Sequence, residues 1–161
     1  MLPGKTLEEA VAKYLKFHRI SLHGNSVALI SVRDEDKDQI VNIGKEFSNI
    51  GIKIFATPGT RKVLTENGID CDVVYKMEDL RRPNVEDFIL EHKPDIVINT
   101  PSLRSGPIRD GNQIRRLSVK YGIPLITNIK LATITLIGAN SVATKSREIR
   151  SYWNIEQEKS N

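Results

Sequence analysis

A single cysteine, Cys71, stands in a chain of 161 residues. That excludes an intrachain disulfide and a cysteine-rich metal site, and a reducing cytoplasm is the expected compartment. Aromatic residues make up only 6% of the chain. With few stacking faces, and with basic residues scattered rather than striped, no nucleic-acid partner is expected. Long apolar runs are missing as well. The longest candidate, Ile129 to Ala139, is broken by Lys130 and several polar residues, so no membrane span is expected. Met1 to Lys16 has no apolar centre of the kind a signal peptide carries. There is no Walker loop and no dinucleotide fingerprint.

What is present suits one soluble domain. Hydrophobic residues are 39% and charged residues 27%, enough for a real core under a charged surface. The net charge of +4 favours anionic partners in general. Apolar spacing predicts an amphipathic helix over Thr6 to Phe17, with Leu7, Ala10, Val11, Tyr14 and Leu15 on one face. Continuous apolar runs then predict strands at Ser26 to Val32, Ile52 to Phe55, Cys71 to Lys76, Asp95 to Thr100 and Pro124 to Thr127. Helices are expected from the charged turn Arg33–Lys37 to about Asn49, over Arg61–Glu66, Val85–Lys93, Asp110–Tyr121 and Ile129–Ile137. Pro101 to Arg109 reads as a loop and Ser141 to Asn161 as a tail.

Strands alternating with helices through short connections predict an α/β fold, one open parallel sheet covered on both faces. In such sheets ligands sit beyond the carboxyl ends of the strands, where strand order reverses. The residues expected there are Arg33 to Lys37, Thr57 to Thr60, Lys76, Asn99 to Arg109 and Thr127 to Lys130. They are rich in hydroxyls, amides and cations, which suits an anionic small molecule better than a metal or a nucleophile. The sharpest element is Phe55-Ala56-Thr57-Pro58-Gly59-Thr60. A strand that feeds a helix through Thr, Gly and Thr can present two hydroxyls and free helix N–H groups to a phosphate, with Gly59 allowing close approach. On spacing alone, an ordinary turn with Thr57 or Thr60 capping the helix is the simpler reading of the same residues.

Five segments carry a family resemblance: S-V-R-D-E-D-K at 31–37, F-A-T-P-G-T at 55–60, L-R-R-P-N at 80–84, V-I-N-T-P at 97–101 and D-G-N-Q-I-R-R at 110–116. Together they resemble the methylglyoxal-synthase-like domain, and within it the carboxyl-terminal regulatory domain of the carbamoyl-phosphate synthase large subunit. The resemblance spans roughly residues 24–140. Residues 1–23 resemble the helix and connector that join that domain to the preceding ATP-grasp half, and 141–161 is left as a tail. It implies a three-layer α/β/α sheet of five parallel strands in the order 3-2-1-4-5, with the reversal between the first and fourth strands.

The resemblance further implies a nucleoside monophosphate site, taking UMP as inhibitor or IMP as activator, within an ATP-dependent ligase of pyrimidine and arginine biosynthesis. It puts Lys37, Thr57, Gly59, Thr60 and Lys76 at the phosphate, which phosphate or sulfate could also occupy. It puts Asn99, Thr100, Arg104 and Asp110 near the ribose and base, and Thr127 on the side of an ornithine site. Implied partners are the ATP-grasp domains and the small glutaminase subunit, with homo-oligomers left open. No cofactor, metal or catalytic residue is implied.

The alternative is methylglyoxal synthase itself, a lyase that releases phosphate from dihydroxyacetone phosphate. That enzyme draws its carboxylate base from a Gly-Pro-x-Gly-Gly-Asp loop after the third strand. Here that stretch is Lys76 to Asn84, its glycines are gone, and Arg82 falls where the catalytic Asp belongs. Glu78 and Asp79 are the remaining carboxylates of the loop. His18, His23 and His92 all read as surface residues away from the inferred pocket.

Overall fold

Val27–Ser31 (β1), Lys53–Ala56 (β2), Asp72–Val73 (β3), Ile96–Asn99 (β4) and Leu125–Ile126 (β5) form one sheet in a computed structural model of the chain. The structure describes residues 7–17, 20–101, 109–136 and 138. The strand order is β3-β2-β1-β4-β5 and every pairing is parallel, as the resemblance implies. The helices are α1 (Leu7–Phe17), α2 (Lys37–Ile50), α3 (Pro58–Glu66), α4 (Val85–His92), α5 (Arg109–Lys120) and α6 (129–136).

Alternation along the central strands divides the interior in two, because successive side chains leave opposite faces of a strand. Ala28 and Ile30, Ile54 and Ala56, and Ile96 and Ile98 join one cluster with Ile40, Ile43 and Phe47 of α2, Leu64 of α3, and Ala132 and Leu136 of α6. Leu29 and Val97 join the other, with Phe88 and Ile89 of α4 and Ile114 of α5. All four residues of β4 are buried, the signature of a strand covered on both faces. Val11 and Leu15 of α1 belong to the first cluster, so the leading helix packs on this body.

The turns show how the sequence closes each layer. Gly51 ends α2 at φ 88°, a left-handed position that favours glycine, and its N–H bonds the carbonyls of Phe47 and Ser48. Asn84 caps α4 reciprocally. Its side chain accepts the Asp87 N–H at 2.9 Å, and the Asp87 carboxylate accepts the Asn84 N–H at 3.2 Å.

Two expected boundaries move. The third strand was expected to reach Lys76, but it ends at Val73. Beyond Val74 the backbone leaves β2 and pairs with the loop's far end instead. Tyr75 N–H bonds Pro83 O, and Val85 N–H bonds Tyr75 O, each at 2.9 Å. These bonds close the neck of the 76–83 loop. The third helix was expected from Arg61, but it begins at Pro58. Proline at the first helical position lacks an N–H that would go unused there, and its φ is already helical. Gly59 and Thr60 therefore lie in the first turn of α3 rather than in a loop before it.

Candidate functional site

The carboxyl ends of β1, β2 and β4 meet at a polar rim. Thr57, Thr60, Asn99 and Thr100 are all buried there, although each side chain is polar. Burial of polar groups costs free energy unless they are paired, so their partners define what the rim is built to do.

On the β1–β2 side the partners are hydroxyls. Thr60 Oγ1 accepts the Val32 N–H at 3.1 Å. The Thr57 hydroxyl lies 3.2 Å from Ser31 Oγ and 3.5 Å from Thr60 Oγ1, within reach of both. Thr57 is the N-cap of α3, yet its side chain caps no helix N–H. The simple capping role is therefore not what these threonines do. Among the described residues no acceptor meets the backbone N–H of Gly59 or Thr60. Free N–H groups in a first helical turn, with the positive end of the helix dipole behind them, favour an anion.

Lys37 completes this side. A Cβ on Gly59 would stand 3.5 Å from Lys37 Nζ, so the ammonium lies against the first turn of α3. Lys37 also pairs with Asp34 at 2.5 Å. That hydrogen bond and the Lys37 charge hold the Asp34 carboxyl below its ordinary range, and the Lys76 charge adds to the shift. Lys76 therefore lies close enough to Asp34 for its charge to act on that carboxyl. Arg33 is engaged otherwise. Its guanidinium pairs with the buried Asp36 at 2.8 Å, and its backbone N–H donates to Thr100 Oγ1 at 3.0 Å.

On the β1–β4 side, Asn99 Nδ2 donates to the Ser31 carbonyl at 3.2 Å, a bond that ties two strand ends together. Asn99 Oδ1 accepts from Arg115 Nη1 at 2.9 Å. The other terminal nitrogen of Arg115 donates to Asn112 Oδ1. Arg115 stands in the D-G-N-Q-I-R-R segment, but reading the sequence assigned it no role. The available signal was spacing: Gly111, Asn112 and Arg115 lie on one face of a helix, four and three residues apart.

Lys37, Thr57, Gly59, Thr60, Asn99 and Thr100 are thus assembled at one rim, with Lys76 near Asp34. Arg104 lies outside the described residues. Asp110 sits in the first turn of α5, with its side chain likewise outside them. Thr127 is exposed beyond β5, one strand further out than β4. A cavity of about 390 Å³ lies between α4 and α5, lined by Met77, Glu86, Gln113, Arg116, Leu117 and Lys120. No rim side chain lines it, and Gln113, Arg116, Leu117 and Lys120 follow one another at three- and four-residue spacing along α5, apart from the stripe of Gly111, Asn112 and Arg115.

The 76–84 loop is occupied by its own ion pairs. Arg81 pairs with Asp79 at 2.6 Å and Arg82 with Asp87 at 3.0 Å. The Arg81 side chain, then its backbone N–H, hold the Asp79 carboxyl down to about 2. So acidic a carboxyl is a weak base for carbon acids. Cys71 is buried, and burial pushes its thiol up, away from the nucleophilic thiolate. His92 stacks on Phe88 at 4.9 Å, far along α4 from the rim. Among the described residues no cluster of His, Cys, Asp or Glu could hold a metal ion, and no helix is long and apolar enough to cross a membrane.

An open five-stranded parallel sheet in the order 3-2-1-4-5, with a hydroxyl- and amide-lined rim at the reversal, defines a class of α/β domain. A model of the MGS-like domain family matches residues 39–127, and the chain belongs to that family. It is similar to methylglyoxal synthase from Elizabethkingia anophelis NUHP1, with a TM-score of 0.56 and 20% identity, covering 71% of this chain and 79% of that one. That likeness concerns the fold. Relatives of higher identity are of a particular kind. The carbamoyl phosphate synthase large chains of Thermoplasma volcanium and Thermoplasma acidophilum are 43% and 41% identical over 152 and 155 residues. These matches cover 94% and 96% of this chain but only 14% of either relative. A protein of Methanopyrus kandleri named carbamoyl phosphate synthase large chain, C-terminal section, is 37% identical, covering 87% of this chain and 25% of that protein.

Proposed function

We propose that this chain is an effector-binding regulatory domain of a carbamoyl phosphate synthase large chain, and that its rim takes a nucleoside monophosphate, UMP or IMP. The observation that carries the reading is the unpaired first turn of α3 under the Lys37 ammonium, beside buried Thr57 and Thr60. A phosphate monoester has close to two negative charges and three acceptor oxygens, and is best met by a lysine with several short donors. Lys76 supplies a second cation for the phosphate, Asn99 a donor where phosphate meets ribose, and Thr100 stands toward the ribose.

The effector would act on ATP-grasp domains and a small glutaminase subunit through a difference in how bound and free forms fit them. Exposed Thr127 is open to a contact from an adjoining domain, as an ornithine-side role requires. The lyase reading is disfavoured by the 76–84 loop, whose Asp79 is committed to Arg81.

Thermal unfolding with UMP, IMP, inorganic phosphate and dihydroxyacetone phosphate tests the reading. An effector at a hundred times its Kd adds about 2.7 kcal/mol, or roughly 5–10 °C for a domain of this size. Lys37→Ala should lower affinity about tenfold or more, because a charge-assisted contact is lost while its other partner, Asp34, is exposed. The reading fails if neither nucleotide shifts the midpoint, or if dihydroxyacetone phosphate is turned over at an enzyme-like rate.

A further inference from the structure

Arg115 is held by two neutral amides, Asn99 and Asn112, and among the described residues no carboxylate pairs with it. Lys37 and Arg33 at the same rim each pair with an acid three residues away. Arg115 therefore brings a full charge to the end of β4, and it does so by reaching back across the first turn of α5. Gly111 makes the passage possible. A Cβ there would stand 3.3 Å from Arg115 Nη1 and 3.5 Å from Asn99 Oδ1.

The consequence concerns Asn99. A guanidinium only donates, so the atom it meets must be the amide oxygen. The Ser31 carbonyl only accepts, so the atom facing it must be the amide nitrogen. Both contacts select the same orientation of a buried side chain. Turned the other way, an N–H would face the guanidinium and an oxygen would face a carbonyl. We propose that Arg115 is a positioning residue for anion recognition, holding Asn99 with its oxygen toward α5 and its NH₂ group at the junction of β1 and β4. The rim then presents the Asn99 NH₂ group at that junction in place of its oxygen, which would repel a phosphate. This inference rests on the nucleoside monophosphate reading above.

Two variants separate positioning from simple support of the fold. Arg115→Met removes the donor that sets the amide. Gly111→Ala adds a methyl where the guanidinium lies, while replacing glycine by a better helix former. UMP and uridine binding are measured by calorimetry, and the Asn99 side-chain amide is followed by nitrogen-15 NMR during UMP titration. Both variants should lose about tenfold in UMP affinity, the scale of one charge-assisted contact. Uridine should lose less, so the preference for the monophosphate narrows. The Asn99 amide signal, which should shift with UMP in the parent, should respond weakly in both variants. Gly111→Ala should unfold nearer the parent than Arg115→Met does, because its gain in helix propensity offsets part of the lost Asn99 contact, and Arg115→Lys should recover part of the affinity through its single ammonium. If the parent binds UMP and both variants bind it equally well, the inference is wrong while the site reading stands. Equal losses for UMP and uridine with an unchanged Asn99 response would likewise overturn it, leaving Arg115 a structural residue. If the parent binds neither UMP nor IMP, the site reading fails and takes the inference with it.

Discussion

Removing the Thr60 hydroxyl tests what the rim is made of. Thr60→Val keeps the shape of a side chain that is 1% exposed and deletes only the oxygen. That oxygen accepts the Val32 N–H at 3.1 Å, where β1 runs out. Without it the N–H has no protein acceptor, and an unmet buried donor costs about 1–3 kcal/mol. Val32 is only half-buried, so water can meet part of the need and the lower half of that range applies. For a domain of this length each kcal/mol moves the midpoint about 2–4 °C, so a fall of roughly 2–8 °C is expected. Thr57 is spared, because its hydroxyl keeps Ser31 Oγ at 3.2 Å. Urea unfolding followed by circular dichroism reads the change without ligand, and UMP titration reads the lost donor separately. A variant with the parent's urea midpoint would refute the argument that this hydroxyl closes β1, whatever it did to binding.

Gly44→Ala tests the packing of α2 on α3. The new Cβ would stand 2.9 Å from Leu64 Cδ2 and 3.1 Å from Ile69 Cδ1, both on buried side chains. Overpacking costs about 1–3 kcal/mol and the gain in helix propensity returns about 1, so a lower urea midpoint is expected and a higher one would count against the packing. Asp79 governs an acid limb of stability. Its carboxyl lies at about 2, below its ordinary 3.8, so the stabilisation from Arg81 is complete above about pH 4 and is lost as pH falls toward 2. An NMR titration should place its midpoint near 2, and Asp79→Asn should flatten that part of the stability curve. A midpoint near the ordinary value would show that the Arg81 pair does not hold in solution.

Arg115 and Thr60 mark where sequence reasoning stopped. Thr60 was recognisable as a hydroxyl at a strand-to-helix turn, but its partner is Val32, 28 residues earlier and just past the end of β1. Arg115 sits in a segment whose resemblance to a family was visible, yet its contact to Asn99 crosses 16 residues and a connection between two elements. Hydrogen bonds of that kind have no local signature. The closing of the 76–83 loop is a similar case, since Tyr75 had the choice of β2 or Asn84, and strand propensity cannot decide between partners. The start of α3 is different. Pro58 announced it under a rule of local chemistry, and the helix was read three residues too late.

By itself the sequence determined the alternation of strands and helices, the inward faces, and the set of polar residues at the strand ends. Those follow from periodicity and turn chemistry, which act over a few residues at a time. Only the tertiary structure decided which hydroxyls and amides are already engaged, which helix N–H groups are left open, and which cation lies over them. Those depend on parallel strands meeting at one edge, where residues far apart in the chain must share a small number of donors and acceptors.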